Sequence, residues 1–232
     1  MSRYERSEIL LGPSSTSVLR ASSVAVIGLG GVGSYAAEAI ARSGIGRILL
    51  VDADVICRSN INRQLFALES TLGMPKAEVA AARINDIDPD IKAEPVQAYV
   101  DAEVCDRLGL SDFDYVVDAV DSVEAKVLLA VRCRDLGVPI ISCMGAGNRL
   151  DPTQFRVCDI YSTSNDPLAR VMRSRLRRAG VGSLKVVCSA LPPLRQSDGG
   201  ALGSVPFVPS VAGLICAREV VLDILSAGGI QL

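Results

Sequence analysis

Along the chain, short unbroken apolar runs alternate with longer stretches in which apolar residues recur at helical spacing. Val24-Ala25-Val26-Ile27, Arg47 to Val51, Tyr115-Val116-Val117 and Pro139 to Met144 have the length of strands. They lack the polar alternation of a half-exposed sheet and so predict strands buried on both faces. Ala93 to Ala98 predicts a further strand. Ser34 to Ser43, rich in alanine, Pro75 to Asp86 with proline in its first turn, Ala102 to Leu108 and Val123 to Leu136 predict helices between them. Strand and helix in alternation imply an α/β protein with a doubly wound, mainly parallel sheet and a crevice at the strand carboxyl ends. Arg3 to Leu11 predicts a short amphipathic helix with Ile9, Leu10 and Leu11 as its apolar side, and Ser17 to Ser22 leads into the first strand. Past Gly145 the alternation weakens. Gln154 to Tyr161 predicts an added strand, Leu168 to Arg178 a helix, Leu184 to Ser189 a strand, and Val211 to Leu225 a helix that packs back on the sheet. Gln196 to Gly203 reads as a loop of small residues. No repeat or linker divides the chain. The expectation is one domain, with a nucleotide-binding core over 1–150 and a C-terminal substrate-binding elaboration over 151–232.

Composition narrows the class. The 232 residues are 49% hydrophobic and 22% charged with a formal net charge of -2, which argues against disorder and against a wholly basic nucleic-acid binder. The N-terminus carries charge where a signal peptide needs an apolar run, and Val205 to Ile215 is too short and too rich in Pro and Gly to span a bilayer. Seven cysteines, Cys57, Cys105, Cys133, Cys143, Cys158, Cys188 and Cys216, include no C-x-x-C pair. That pattern predicts reduced thiols in a soluble cytoplasmic protein, with no disulfide framework and no structural zinc. There is no histidine. Ser-His-Asp and Cys-His catalysis and histidine metal sites are therefore excluded.

Gly28-Leu29-Gly30-Gly31-Val32-Gly33 fits G-x-G-x-x-G between a predicted strand and a predicted helix. Gly28, Gly30, Gly31 and Gly33 permit a tight turn and close approach of backbone to phosphate, with the helix N-terminus pointing free N–H groups at the anion. Asp52 ends the next strand, where a carboxylate can accept from ribose hydroxyls. A nicotinamide enzyme would place its acid there too. The residues that follow separate the cases. Ser59-Asn60-Ile61-Asn62-Arg63-Gln64 and Lys76 supply amide, hydroxyl and cationic groups, and Asp118-Ala119-Val120-Asp121-Ser122 ends the fourth strand with two carboxylates. Hydride transfer leaves the pyrophosphate intact and needs no such cations. Adenylation breaks the bond between α- and β-phosphates, which calls for cations on the leaving group and for Mg²⁺ on a carboxylate. Arg63 and Lys76 are the candidate cations and Asp121 the candidate Mg²⁺ ligand. Taken singly, each has a structural reading: Asn60 and Asn62 as turn residues, Lys76 as a solvated helix residue, Asp118, Asp121 or Ser122 as a helix cap.

Together these residues resemble the ubiquitin-activating-enzyme-like superfamily, which includes the molybdopterin and thiamine-pathway adenylyltransferases. The resemblance covers about the first two-thirds of the chain: Arg3-Tyr4-x-Arg6 with Ile9-Leu10, the glycine loop, Asp52-x-Asp54, Ser59-Asn60-x-Asn62-Arg63-Gln64, Gly73-x-Pro75-Lys76 and Asp118-x-x-Asp121. It implies a Rossmann-type fold and ATP as the nucleotide. Asp52 and Asp54 then lie at the nucleotide, Asn60, Arg63 and Lys76 address phosphates, and Asp121 holds the metal. It also implies that Arg3 or Arg6, with Arg6 the one taken as catalytic, reaches the ATP of the neighbouring subunit in a homodimer. The two C-x-x-C pairs of the sulfur-carrier activators are missing. Ser122 after Asp121, Gly145-x-Gly147 before Asp151-Pro152-Thr153-Gln154, Asp166-Pro167-Leu168 and Gln196-Ser197-Asp198-Gly199 look closer to the branch of tRNA threonylcarbamoyladenosine dehydratases. That branch implies a carboxylate on tRNA as the group adenylated, with ring closure expelling AMP. The alternative within the superfamily is the C-terminal glycine of a ubiquitin-like sulfur carrier. Outside it stand a nicotinamide-dependent redox enzyme and a non-catalytic nucleotide sensor. A sulfur-transfer protein is a possible accessory.

Pro167 to Ser197 contains no acidic residue but carries Arg170, Arg173, Arg175, Arg177, Arg178, Lys185 and Arg195. Such a block suits RNA phosphates, and the arginines of 170–178 are the candidate tRNA-backbone contacts. A solvated or dimer-facing helix is the plainer reading. Cys188 is the cysteine best placed for a thioester, although a free thiol more often behaves as a small buried apolar group.

Overall fold

The computed structural model describes residues 2–194 and 202–231. Strands Ser23–Ile27 (β1), Arg47–Val51 (β2), Lys92–Val96 (β3), Tyr115–Asp118 (β4), Ile140–Cys143 (β5), Phe155–Asp159 (β6) and Lys185–Ser189 (β7) form one sheet of order β3-β2-β1-β4-β5-β7-β6. Neighbouring strands run parallel except β6 beside β7. The apolar runs take the centre because both faces there are covered. Val24 and Val26 feed one core, Ala25 and Ile27 the other, following the two-residue period of a strand. The edge strand β3 carries Pro95, whose missing N–H is tolerated where no further strand pairs.

Helices Gly33–Ser43 (α3) and Lys76–Ile87 (α4) cover one face, and Ala102–Arg107 (α5) and Val123–Leu136 (α6) the other. Helix Pro167–Arg178 (α7) lays Ala169, Met172 and Leu176 against α6 and β7. The last helix, Phe207–Ala227 (α8), begins four residues before the predicted Val211, because Pro206 and Pro209 sit at its start, where no backbone donor is required. It places Val208, Ala212, Cys216, Val220 and Ile224 in the same core as β1 and α3. Gly213 makes that contact close, since a Cβ there would lie 2.2 Å from the Val32 carbonyl oxygen.

The N-terminus departs from its sequence pattern. Helix Glu5–Leu11 (α1) leaves Ile9 and Leu10 73% and 81% exposed, whereas Leu11, the third residue of the predicted apolar side, packs against the core. Tyr4 is the anchor instead. Its hydroxyl donates to Asp88 Oδ2 at 2.5 Å in a buried cluster with Arg20, 2.5 Å from the same oxygen, and Arg3, 2.9 Å from Oδ1. The lead-in to β1 is itself a helix, Ser15–Ala21 (α2), whose Leu19 reaches the core. Strand β3 ends at Val96 rather than Ala98. The predicted loop Gln196 to Gly203 lies mostly outside the described residues.

Burial alone would raise the Asp88 carboxyl, but hydrogen bonds from Tyr4 and Arg20 overcome it and leave the group below the usual carboxylate range. A depressed folded-state pKa contributes stability above the unfolded value that is lost as pH falls through the folded one. Asp88→Asn should therefore lower the thermal midpoint at neutral pH and have less effect below about pH 4, as read by paired melting curves; an equal loss at both pH values would contradict it.

Candidate nucleotide-binding site

Strand order reverses between β1 and β4, and the carboxyl ends of β1, β2 and β4 are level: Ile27 pairs with Val51 on one side and Asp118 on the other. A crevice of about 470 Å³ opens at that point, a size suited to a nucleotide. Gly28, at φ +89°, turns the chain out of β1 where a Cβ would meet the Ala119 carbonyl at 2.7 Å. A Cβ on Gly33 would lie 1.7 Å from the Gly28 carbonyl oxygen, so only glycine lets α3 start directly over the strand. Gly30 and Gly31 line the crevice; a Cβ on Gly30 would find no atom nearer than Gln64 Nε2 at 3.9 Å. The glycine turn that leads into α3 thus borders the crevice, the position from which such a turn receives phosphate.

Asp52 is fixed before any ligand arrives. Its Oδ2 accepts from the Leu29 N–H at 2.7 Å and its Oδ1 from the Asp54 N–H at 2.9 Å. Lys76 is only 5% exposed. Its Nζ lies 2.6 Å from Asp54 Oδ2 and 3.7 Å from Asp52 Oδ1, so a buried ammonium is held beside the glycine turn. Its backbone N–H donates to the Asp54 carbonyl at 3.0 Å, which sets where α4 begins. Asn60, Arg63 and Gln64 also line the crevice, as do Asp121 and Ser122. Asp121 stands exposed at the rim, while the Ser122 hydroxyl caps α6 by accepting from the Ala125 N–H at 3.3 Å. The cap reading and the crevice position hold together for Ser122.

Other predicted residues serve at one remove. Ser59 and Asn62 do not line the crevice; the Ser59 carbonyl and the Asn62 Oδ1 accept from Arg63 Nη1 at 2.7 and 2.9 Å and so aim the guanidinium. Asn60 Oδ1 accepts from the Cys57 N–H at 3.1 Å, which fixes the turn. Asp118 is wholly buried beneath the crevice and paired with Lys126, whose Nζ is 3.2 Å from Oδ1 and donates to the Cys143 carbonyl at 2.7 Å. Lys126 was not legible as a buried residue, since a lysine in a helix normally reads as solvated. Arg3 is engaged with Asp88 and the Ile87 carbonyl, whereas Arg6 is exposed and away from this chain's own crevice.

The opposite wall consists of Ala146, Gly147, Leu202, Gly203 and Ser204. Behind it Arg149, also unmarked by any sequence pattern, is buried and paired with Asp166 at 2.6 Å. Beyond it α7 carries the basic block. Arg175 lies 3.2 Å from Glu124, Arg177 stacks over Tyr161, and Arg173 donates to the Thr163 carbonyl. Arg170 and Arg178 have no carboxylate within ion-pair reach among the described residues. Lys185 does not join this surface, because it pairs with Asp223 at 2.6 Å and Glu219 at 3.4 Å on α8; Arg195 lies outside the described residues. Among the described residues no three acids and cysteines gather as a metal cage. Cys188 is buried on β7, and burial pushes its thiol up to about 12. It is therefore a protonated, shielded group rather than a nucleophile.

A Gly-rich strand-to-helix turn, an acid at the end of the next strand and two cations lining the same crevice define a nucleotide-binding α/β protein. The chain belongs to the ThiF family, whose model matches residues 4–227. It is 40% identical to the tRNA threonylcarbamoyladenosine dehydratase of Bacillus subtilis over 96% of this chain and 94% of that protein. The Escherichia coli enzyme of the same name is 41% identical over 75% of this chain and 65% of that protein. The crystal structure of the E. coli dehydratase in complex with ATP superimposes with a TM-score of 0.91 at 33% identity, covering 99% of this chain and 96% of that one.

With its thiol held protonated, Cys188 should resist iodoacetamide in the native protein at pH 8 while exposed Cys57 reacts, as mapped by peptide mass analysis. Rapid labelling of Cys188 would revive the thioester possibility.

Proposed function

We propose that this chain uses ATP to adenylate the carboxylate of the threonylcarbamoyl group on the modified adenosine beside the anticodon of tRNA. A carboxylate oxygen attacks the α-phosphorus, the bond to the β-phosphate breaks and pyrophosphate leaves. An internal nitrogen or oxygen of the same group then attacks the acyl carbon, loses its proton and expels AMP. A ring closes with net loss of one water. The observation that carries this reading is Lys76, buried beside Asp52 and Asp54 in the same crevice as Arg63 and Asp121, in a chain 40% identical to the B. subtilis dehydratase over 96% of its length.

In this mechanism Asp52 accepts from ribose, and the N-terminal turn of α3 with Asn60 receives the phosphates. Lys76, released from Asp54 as phosphate takes over its charge, and Arg63 stabilise the negative charge on the five-coordinate phosphorus and the departing pyrophosphate. Asp121 would hold Mg²⁺, which when bound neutralises phosphate charge; one carboxylate at the rim suits that ion, which takes most of its ligands from water and phosphate. Arg6 acts across a homodimer, on the neighbouring subunit's nucleotide. The 1–150 segment binds ATP and the 151–232 segment the RNA, with Arg170, Arg173, Arg175, Arg177 and Arg178 along its backbone. The reaction takes place in the cytoplasm, and a sulfur-transfer protein is an accessory at most. No helix among the described residues is long and apolar enough to cross a membrane.

Purified protein given ATP, Mg²⁺ and tRNA bearing the linear modification should release AMP and pyrophosphate and yield a nucleoside lighter by one water, read by mass analysis. Release of AMP only with a glycine-tailed carrier protein would replace this reading with that one. Lys76→Ala and Arg63→Ala should each slow turnover by about 10²–10³-fold while the protein still melts cooperatively; wild-type rates would make both cations incidental. Arg170→Glu and Arg178→Glu should weaken tRNA binding uniformly across tRNA sequences, and neutralising either residue should reduce the salt-dependence slope by about one. An unchanged slope would mean the helix faces something else.

A further inference from the structure

After β5 the chain runs Gly145-Ala146-Gly147-Asn148-Arg149, and Ala146 and Gly147 form the crevice wall opposite Asp52 and Lys76. Asn148 sits in the left-handed region at φ +55°, which asparagine tolerates better than most residues. Three of its groups then meet the connection between β7 and α8. Its N–H donates to the Gly203 carbonyl at 2.8 Å, its Oδ1 accepts from the Gly203 N–H at 2.6 Å, and its carbonyl accepts from the Leu194 N–H at 2.7 Å. Arg149 completes the arrangement from within. Its Nε donates to the Gly145 carbonyl at 2.8 Å, Nη1 to the Leu191 carbonyl, and Nη2 to Asp166 at 2.6 Å. Asp166 in turn caps α7, accepting from the Ala169 N–H at 2.8 Å.

Two consecutive residues thus tie Leu191, Leu194 and the crevice-lining Gly203 to the segment after β5 and lock the first turn of the basic helix to the same point. On its far side the wall is tied to the cation turn, since Asn62 Nδ2 donates to the Ser204 carbonyl at 3.0 Å. None of these bonds touches the Asp52 and Lys76 wall. A nucleotide seated over the glycine turn with its ribose at Asp52 would have the Gly147–Gly203 wall across the crevice from it, a side from which a second reactant can be presented.

We propose that Asn148 and Arg149 are positioning residues for the carboxylate-bearing substrate. They fix the wall against which it is aligned with the α-phosphorus and, through Asp166, the distance from that wall to α7. This rests on the adenylation reading above, though not on which carboxylate is used. In-line attack is sensitive to displacements of an ångström, so loosening the wall should slow the reaction without loosening ATP.

The test compares Asn148→Ala, Asn148→Gly and Asn148→Asp. Glycine keeps the left-handed backbone and removes only the acceptor to Gly203, whereas aspartate keeps both. The readouts are kcat and KM with the carboxylate substrate, ATP affinity by calorimetry, and the thermal midpoint. Alanine and glycine should lower kcat by about 10²-fold with ATP affinity unchanged, and aspartate should restore most of it. Wild-type kcat in the glycine variant, or losses in all three that track ATP affinity or the melting midpoint, would overturn the proposal. If the wild-type protein proves to adenylate a glycine-tailed carrier and not tRNA, the tRNA reading fails. The same variants are then scored on the carrier by the same split between kcat and ATP affinity.

Discussion

A Cβ at position 33 would sit 1.7 Å from the Gly28 carbonyl oxygen, and the rest of the site depends on its absence. Because that contact is open, β1 passes into α3 in one tight turn and the helix N-terminus stands over the sheet where strand order reverses. The Leu29 N–H in the same turn donates to Asp52, so the turn also sets the carboxylate at the end of β2. A bulkier residue would push α3 away, tilt the helix N-terminus off the crevice and break the α3–α8 contact that Gly213 permits.

Around this turn the fold places three buried cations, each answered by a carboxylate: Lys126 with Asp118 beneath the crevice, Lys76 with Asp54 and Asp52 on one wall, Arg149 with Asp166 behind the other. A buried ion pair adds little net stability, because desolvation cancels most of its attraction, yet removing one partner costs about 3–5 kcal/mol. Such pairs therefore act as locators. Lys126 also donates to the Cys143 carbonyl, which joins β4 to β5 under the site. Arg149, with its planar fork of donors, joins crevice, β7 exit and α7. Of the three, Lys76 is the one that lines the crevice.

The crevice thus has two walls of different character. The Asp52–Lys76 wall is charged and set by short-range contacts along β1, β2 and α4. The Gly147–Gly203 wall is small and nearly uncharged, and its place is set by Asn148, Arg149 and Asn62. That asymmetry suits a reaction in which one reactant is always the same nucleotide and the other is a carboxylate carried on a large partner. The basic helix α7 begins beside the uncharged wall, its cap residue Asp166 held by Arg149.

The sequence by itself determined the central sheet and the nucleotide wall. Strands buried on both faces must be continuous apolar runs, and a phosphate turn must be glycine, so Val24–Ile27 and Gly28–Gly33 could be read directly. Asp52 and Asp121 follow strand ends, Arg63 lies in the loop beyond β2 and Lys76 opens α4, so their place at the crevice could be read from the order of the elements. Tertiary structure alone decided the rest. Helix α2 and the Tyr4 anchor exist because Asp88, more than sixty residues away in sequence, supplies their buried partner. Local periodicity carries no record of such a partner, which is why Ile9 and Leu10 were assigned the packing role that Tyr4 performs. Lys126, Asn148 and Arg149 stayed hidden for the same reason. An isolated lysine, asparagine or arginine reads as solvated, and only the folded chain brings Asp118, Gly203 and Asp166 to their side chains.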